Sequence, residues 1–445
     1  MMKKEYDALS KKELIALLQK TEVQKNYGLV WEEDKIIEHS VAECTLRKAT
    51  LIEIKKNKIV GKKKAPENVL IEGDNYHSLT VLSKTHKEKI DLIYIDPPYN
   101  TGKKEDFMYN DQYVNIDDTY RHSKWLSFMH KRLELAALLL KKTGAIFISI
   151  DDNESAQLKL LCNSIFGEEN FVAQIIRKNK TGSGHDSGQL AVEFDYMLCY
   201  AKNKTQLIFA QEVLDVENDT KYKLEDKQIA HRGKYYLRDL DYKGSYSPSL
   251  DYKLTVPDGS TILSGNKHGR PNTWRWSKEK VAWGMENDFI VFKQTKDKWK
   301  AYIKQYQFVD NENKRRERKL PHRAIINFLN AEGSKELNNI VKQSAFRFPK
   351  PTGLILFCIN LFAEKNITVL DFFAGSGTTG HAVIKANVED GGKRKFILCT
   401  NNENSICETV TYPRIKKVMQ GYEQDNKKID GLGGNLIYYK TSFEK

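Results

Sequence analysis

Residues 367–380 read ITVLDFFAGSGTTG. The first half is apolar and rich in β-branched residues, the profile of a buried strand, and it ends on Asp371. Phe373, Ala374 and the turn Gly375-Ser376-Gly377 follow, and from about 377 to 387 the pattern is helical. Glycines at Gly375 and Gly377 let the backbone turn tightly and approach a ligand closely. Amides exposed at the start of the helix can hold a carboxylate or another anion. Asp371, at the strand tip, can meet an ammonium group directly or through water. A GxG turn alone only joins a strand to a helix. The strand, turn and helix in this order, with an acid at the tip, describe a loop for a ligand that carries both an ammonium and a carboxylate, as S-adenosylmethionine (SAM) does on its methionine moiety.

The same alternation extends outward from this stretch. A helix is predicted over about 352–363, a strand at 395–400 (KFILCT), a helical segment over 410–421 and a strand at 435–440 (NLIYYK). Nearer the N-terminus, NVLIEG (68–73) and IDLIYID (90–96) read as strands around a helix at 75–86. A long helix over about 123–142 turns Trp125, Phe128, Met129, Leu133, Ala136, Ala137 and Leu140 inward, and GAIFISI (144–150) is the next strand. The helix near 153–166 follows Asp151 and Asp152, either of which can cap it. FDYMLCYA (194–201) reads as a strand at the sheet edge. Strands rich in Ile, Val and Leu that alternate with helices predict a parallel sheet covered on both faces.

Between 203 and 343 the alternation stops, charge is high and aromatic residues are frequent, so this region reads as an inserted domain. The expected organisation is an N-terminal helical and extended segment (1–66), one α/β half (67–202), the insert (203–343) and a second α/β half (344–445). Residues 1–20 read as a short amphipathic helix, and Lys62-Lys63-Lys64 before Pro66 as a solvated linker.

Bulk properties narrow the class. The chain has 445 residues, 40% of them hydrophobic, which excludes a disordered protein. Its formal charge of +13, from 72 Lys and Arg against 59 Asp and Glu, favours a polyanionic partner such as nucleic acid. The six cysteines form no CxxC pair, which argues against a zinc ribbon and a redox pair. There is no run of about 18 apolar residues and no signal-peptide core, so a cytoplasmic, reduced protein is expected. His122, His130 and His185 have no ligand spacing, and no metal is expected.

The strongest strand ends on Asp96-Pro97-Pro98-Tyr99. A Pro-Pro pair holds the backbone extended and leaves carbonyls without a local amide partner. Asp96 and the Pro97 carbonyl can both accept from an exocyclic amino group, while Tyr99 offers a flat face for a base to stack on. A site of acceptors holds an amine so that its lone pair faces an electrophilic methyl group. That is catalysis by positioning and electrostatics, without a covalent intermediate. In an open parallel sheet, ligands bind where strand order reverses, so the tips at Asp371 and Asp96 are expected to be neighbours.

These motifs together resemble those of the amino-methylating DNA methyltransferases, in the permuted order of the β class. LIEGDNYHSL (70–79), IDLIYIDPPYNTG (90–102), HSKWLSFMHKRLELA (122–136), FISIDDNE (147–154), FPKP (348–351) and LDFFAGSGTTG (370–380) look like the modification subunits of Type III restriction systems. The resemblance implies a class I SAM-dependent methyltransferase fold: a Rossmann-like, mostly parallel sheet with helices on both faces, circularly permuted, carrying an inserted target-recognition domain. It implies SAM as cofactor and N6 of an adenine swung out of the duplex as target. It assigns catalysis to Asp96, Pro97, Pro98 and Tyr99. It assigns cofactor binding to Asp74, Asn75, Lys350, Thr352, Asp371, Phe373, Ala374, Gly375, Ser376, Gly377 and Thr378. Where the family often has a ribose-binding glutamate, this chain reads Thr400-Asn401-Asn402-Glu403, and Glu403 is the candidate substitute.

Asn100, Phe107 and Tyr109 are expected in a loop that closes on the base, although the aromatics could equally belong to the core. Arg275, Arg315 and Arg316 of the insert are candidate DNA contacts. The run 314–319 taken alone fits a solvated helix face, and Trp274-Arg275-Trp276 fits the insert's own core. Double-stranded DNA is the expected partner, with a homodimer and a restriction helicase–nuclease subunit as further expectations. The chain is short for a Type III modification subunit, so a stand-alone enzyme is also compatible. Alternatives in view are cytosine-N4 methylation, where the family usually has Ser in place of Asp96, amide or RNA targets of Asn-Pro-Pro-Tyr relatives, and a non-catalytic DNA-binding subunit.

Overall fold

The computed structural model describes residues 10–12, 14, 15, 18, 28–31, 38–61, 65–102, 119–182, 190–265, 272–295, 298–342 and 346–444. Two compact units divide them: one comprises 1–210 and 323–445, the other Gln211–His322. The insert is thus narrower than the 203–343 span expected, because residues from Arg323 onward rejoin the first unit.

The strands run in chain order as β1 (Ala49–Glu53), β2 (Glu67–Glu72), β3 (Ile90–Ile95), β4 (Leu140–Ile150), β5 (Phe171–Lys178) and β6 (Phe194–Ala201). Three strands of the insert follow, β7 (Tyr235–Asp239), β8 (Ile290–Thr295) and β9 (Lys298–Tyr306). Then come β10 (Ile325–Asn327), β11 (Thr368–Asp371), β12 (Lys395–Thr400) and β13 (Asn435–Phe443). The main helices are α1 (His39–Leu46), α2 (Asn75–Thr85), α3 (Arg121–Leu139), α4 (Ser155–Phe166), α5 (Lys278–Glu286), α6 (Asn330–Ile340), α7 (Thr352–Asn360), α8 (Thr378–Asp390) and α9 (Tyr412–Gln420).

The first unit is one ten-stranded sheet in the order β1-β13-β2-β12-β11-β3-β4-β6-β5-β10. Its centre, from β13 to β4, is parallel, and β1 and β6 run antiparallel to their neighbours. Alternation along each strand feeds two cores. Leu92, Tyr94, Val369 and Leu398 pack with Leu354, Val383 and Ile415 of α7, α8 and α9 on one face. Ile93, Ile95, Leu370 and Ile397 pack with Leu133 and Leu158 of α3 and α4 on the other. This is the burial on both faces that continuous apolar strands require.

Two expectations are corrected, and elements that carry no clear sequence pattern are added. Phe194–Ala201 is not an edge strand, since β6 is paired with β4 and β5. The region 21–66 holds α1 and β1, and β5 went unread because polar residues interrupt it. Asp151 does not cap α4: its carboxylate accepts from the amide and side chain of Asn153, and the cap position falls on Glu154.

β11 and β3 are adjacent and parallel, with Leu370 opposite Ile93. The chain leaves β11 through α8 to β12 on one side, and leaves β3 through α3 to β4 on the other. Strand order therefore reverses between the tips that carry Asp371 and Asp96, which is where such sheets open a crevice.

The second unit packs α5 with the antiparallel strands β8, β9 and β7 around Leu240, Trp274, Trp276, Phe289, Ile303 and Tyr306.

Candidate active site

The glycine loop is held from behind by buried polar groups. Gly375 and Gly377 have φ of 47° and 77°, the left-handed region that glycine enters at least cost. The hydroxyl of Thr411 donates to the Gly375 carbonyl at 2.5 Å. Arg414, fully buried, reaches Thr378 Oγ1 at 2.7 Å and Ser376 Oγ at 3.2 Å. Burial lowers the Arg414 guanidinium to about 10. Asp371 fastens the loop as well: its oxygens accept from the Phe373 amide at 3.0 Å and the Thr379 hydroxyl at 2.5 Å. Burial pushes the Asp371 carboxyl up to about 7, against these two hydrogen bonds and with help from the nearby charge of Asp96.

Across the crevice, the Asp96 carboxylate accepts the Tyr99 hydroxyl at 2.9 Å. Burial, and then the charge of Asp96, keep the Tyr99 phenol well above its ordinary value, so it stays a donor. The Pro98 carbonyl is taken by Trp125 Nε1 at 2.7 Å, which anchors the Pro-Pro segment to α3. Lys350 places its ammonium 2.6 Å from both Asp96 oxygens and 5.0 Å from the centre of the Tyr99 ring. This ion pair, far apart in sequence, binds the FPKP segment to the catalytic motif.

Both motifs line one cavity of about 670 Å³. Asp96, Pro98, Tyr99, Lys350, Asp371, Phe373, Ala374, Gly375, Ser376 and Thr378 all border it. Sequence reasoning missed the rest of the wall. Arg177 and Asp195 pair there at 2.7 Å through Nε and Oδ1. Burial alone would lower Arg177, but Asp195 holds it above its ordinary value. Asp151, Asp152, Asn153, Asn179, Asn330, Phe194, Phe346 and Phe348 also line it. Of these, Asp151, Asp152, Asn153 and Phe348 fall within FISIDDNE and FPKP, whereas β5 and β6 carry no motif.

Several assigned residues do other work. Asp74 caps α2, accepting from the Tyr76 amide at 2.7 Å. Asn75 donates to the Phe372 carbonyl at 3.0 Å and accepts from Arg132 Nε at 2.6 Å. Thr352 gives both its amide and its hydroxyl to Glu336. Asn100 does not line the cavity, and its amide donates to buried Glu154. Glu403 is exposed in a short 3-10 turn. Phe107, Tyr109, His185 and Lys62-Lys63-Lys64 lie outside the described residues. In the insert, Trp274 and Trp276 are core, and Arg275 donates to the Asp239 carbonyl at 2.9 Å. Arg315 and Arg316 are exposed on extended chain, not on a helix. Among the described residues no group of three or more His, Cys, Asp or Glu could hold a metal ion, and no helix is long and apolar enough to cross a membrane.

The residues present fit SAM. The cavity offers a carboxyl at Asp371 for an ammonium and the start of α8 for a carboxylate. One strand further, just past β12, Asn401 Oδ1 is buried with no partner among the described residues. An orphan acceptor there suits a ribose hydroxyl better than exposed Glu403 does.

A parallel sheet with a glycine loop and an acceptor tetrapeptide at adjoining tips of its switch point defines a class I methyltransferase fold in permuted order. The chain belongs to the DNA methylase family, whose model matches residues 90–412. It is 35% identical over 381 residues to the Type III restriction-modification enzyme StyLTI Mod subunit of Salmonella typhimurium, covering 80% of this chain and 56% of that one. It is 30% identical to the EcoPI Mod subunit of Escherichia phage P1, over 90% of this chain and 68% of the relative. With Type II methyltransferase M.KpnI of Klebsiella pneumoniae it shares 34% identity over 74% of this chain and 79% of the relative. The chain thus spans little more than half of the StyLTI subunit.

Proposed function

We propose that this protein transfers the methyl group of SAM to N6 of an adenine in double-stranded DNA, as the modification enzyme of a restriction-modification system. The observation that carries this is the juxtaposition of Asp96 and Tyr99 with the Asp371–Thr378 loop around one cavity. Bound there, SAM would supply an electrophilic methyl group on sulfur. Asp371 and the α8 amides would hold the ammonium and carboxylate ends, and Asn401 a ribose hydroxyl. Asp96 and the Pro97 carbonyl would accept hydrogen bonds from the two N6–H groups, turning the nitrogen lone pair towards the methyl carbon. As the N–C bond forms the S–C bond breaks, S-adenosylhomocysteine leaves, and the cationic N6 gives up one proton to solvent. Tyr99 would stack on the base while its hydroxyl steadies Asp96. The adenine must leave the helix to reach this depth, and the basic insert is the reading for duplex binding.

Expression in methylation-free cells, followed by sequencing of modified bases in the genomic DNA, tests the reading. N6-methyladenine in one sequence context, absent with Asp96→Ala, supports it. N4-methylcytosine would transfer the conclusion to the cytosine alternative, and no modification with intact DNA binding would favour a non-catalytic subunit. The similarity to Mod subunits supports a restriction subunit as partner, which co-purification tests. Light scattering tests a homodimer. A cytoplasmic location follows from the DNA substrate.

A further inference from the structure

We propose that Lys350 is a positioning residue that exchanges Asp96 for the carboxylate of the methyl donor, so that Asp96 is released to the target amine only once the donor is seated. The inference rests on the function proposed above and deepens it, by giving the site an order of binding.

In the structure the acceptor that the target needs is already engaged. Oδ1 takes the Tyr99 hydroxyl and the Lys350 ammonium, and Oδ2 takes the same ammonium, both lysine contacts being 2.6 Å. A carboxylate accepts through about four lone-pair positions, so one is left, on the oxygen that already faces the lysine cation. Electrostatics point the same way. The target nitrogen becomes positive as it takes the methyl group, and a lysine cation against its acceptor opposes that charge. The observed pair therefore describes a resting arrangement.

Lys350 also stands beside the second station. Its backbone carbonyl accepts from Thr378 Oγ1 at 3.1 Å, and Thr378 is the first residue of α8. The start of that helix is where the donor's carboxylate is expected. The backbone at Lys350 is packed against α6. In α6, a Cβ on Gly333 would come within 2.1 Å of the Pro349 carbonyl and 2.8 Å of the Lys350 carbonyl carbon, so the segment lies directly on that helix. What can move is the four-carbon side chain, whose head has three donors and no fixed geometry. Anchored between the two stations, it pairs with Asp96 while the donor's anion is absent and swings to that anion when it arrives.

Calorimetry with two ligands tests this without a known DNA site. S-adenosylhomocysteine carries the amino-acid moiety but no sulfonium charge, and 5′-methylthioadenosine lacks that moiety. Asp96→Asn frees Lys350 and is expected to tighten S-adenosylhomocysteine on the order of tenfold, about the worth of one hydrogen bond to a charged group. Methylthioadenosine binding is expected to stay unchanged. Lys350→Met and Lys350→Gln are expected to weaken only S-adenosylhomocysteine, and in either background Asp96→Asn loses its effect. Removing the Asp96 charge also lowers the Asp371 carboxyl and eases repulsion of the ligand carboxylate, so the Lys350 backgrounds decide: those effects persist there, whereas the exchange does not. Unchanged or weaker S-adenosylhomocysteine binding in folded Asp96→Asn overturns the exchange. Wild-type protein that binds neither ligand overturns the donor reading, and the exchange with it.

Discussion

Asn75 donates its side-chain amide to the Phe372 carbonyl, 3.0 Å away, and so joins the tips of β2 and β11 across β12. Its own oxygen receives Arg132 Nε at 2.6 Å, and buried Arg132 is neutralised by Glu38 at 2.8 Å. The residue is a strut under the glycine loop. Asn75→Ala leaves two buried groups without their partner and is expected to lower stability by about 1–3 kcal/mol. Chemical denaturation measures this. Wild-type stability would show that the strut carries no load.

Asp371 has a folded-state pKa of about 7 against an ordinary 3.8. Between those values the native protein holds a proton that the unfolded chain has lost. The stabilisation from this group is complete below the ordinary value and disappears as pH rises through about 7. Asp371→Asn is therefore expected to gain stability relative to wild type as pH increases over that window. A ligand ammonium favours the ionised carboxyl, so S-adenosylhomocysteine binding near pH 7, where the group is half-titrated, is expected to release a proton. Calorimetry in buffers of different ionisation enthalpy detects it, and Asp371→Asn should show none.

The proposed function gives Tyr99 two separable roles. Tyr99→Phe keeps the ring but removes the hydrogen bond to Asp96, and single-turnover methyl transfer is expected to slow on the order of tenfold. Tyr99→Ala also removes the stacking face and is expected to lose more. Equal rates for the two variants would mean that the ring does not stack on the target.

Arg315 and Arg316 are exposed on the insert. If each neutralises one phosphate, Ala at both positions reduces the slope of log K against log salt by about 2, without changing which sequence is methylated. A changed methylation site would instead place these residues on base edges.

The strands around the site were legible because each is short, apolar and closed by a polar or turn-forming residue, as at Asp96 and Asp371. β5 was not, because Gln174, Arg177 and Lys178 interrupt its pattern and only pairing with β6 and β10 makes it a strand. The same burial turns Arg177 and Asp195 into a cavity wall, although each charge reads as surface in isolation. Lys350 was read from its motif as a cofactor ligand, but a contact spanning 254 residues to Asp96 has no local trace. Asn100 follows Tyr99 in the chain but does not line the cavity. Its φ of 59° turns it inward to Glu154, and a backbone reversal of that kind is set by the surrounding fold.

Strand β13 fits between β1 and β2, so a segment made after both of them occupies the slot between them. Until that segment leaves the ribosome, β1 has no partner in the sheet and β2 presents a bare edge. A nonsense change just upstream of Asn435 would leave that edge of β2 open for good.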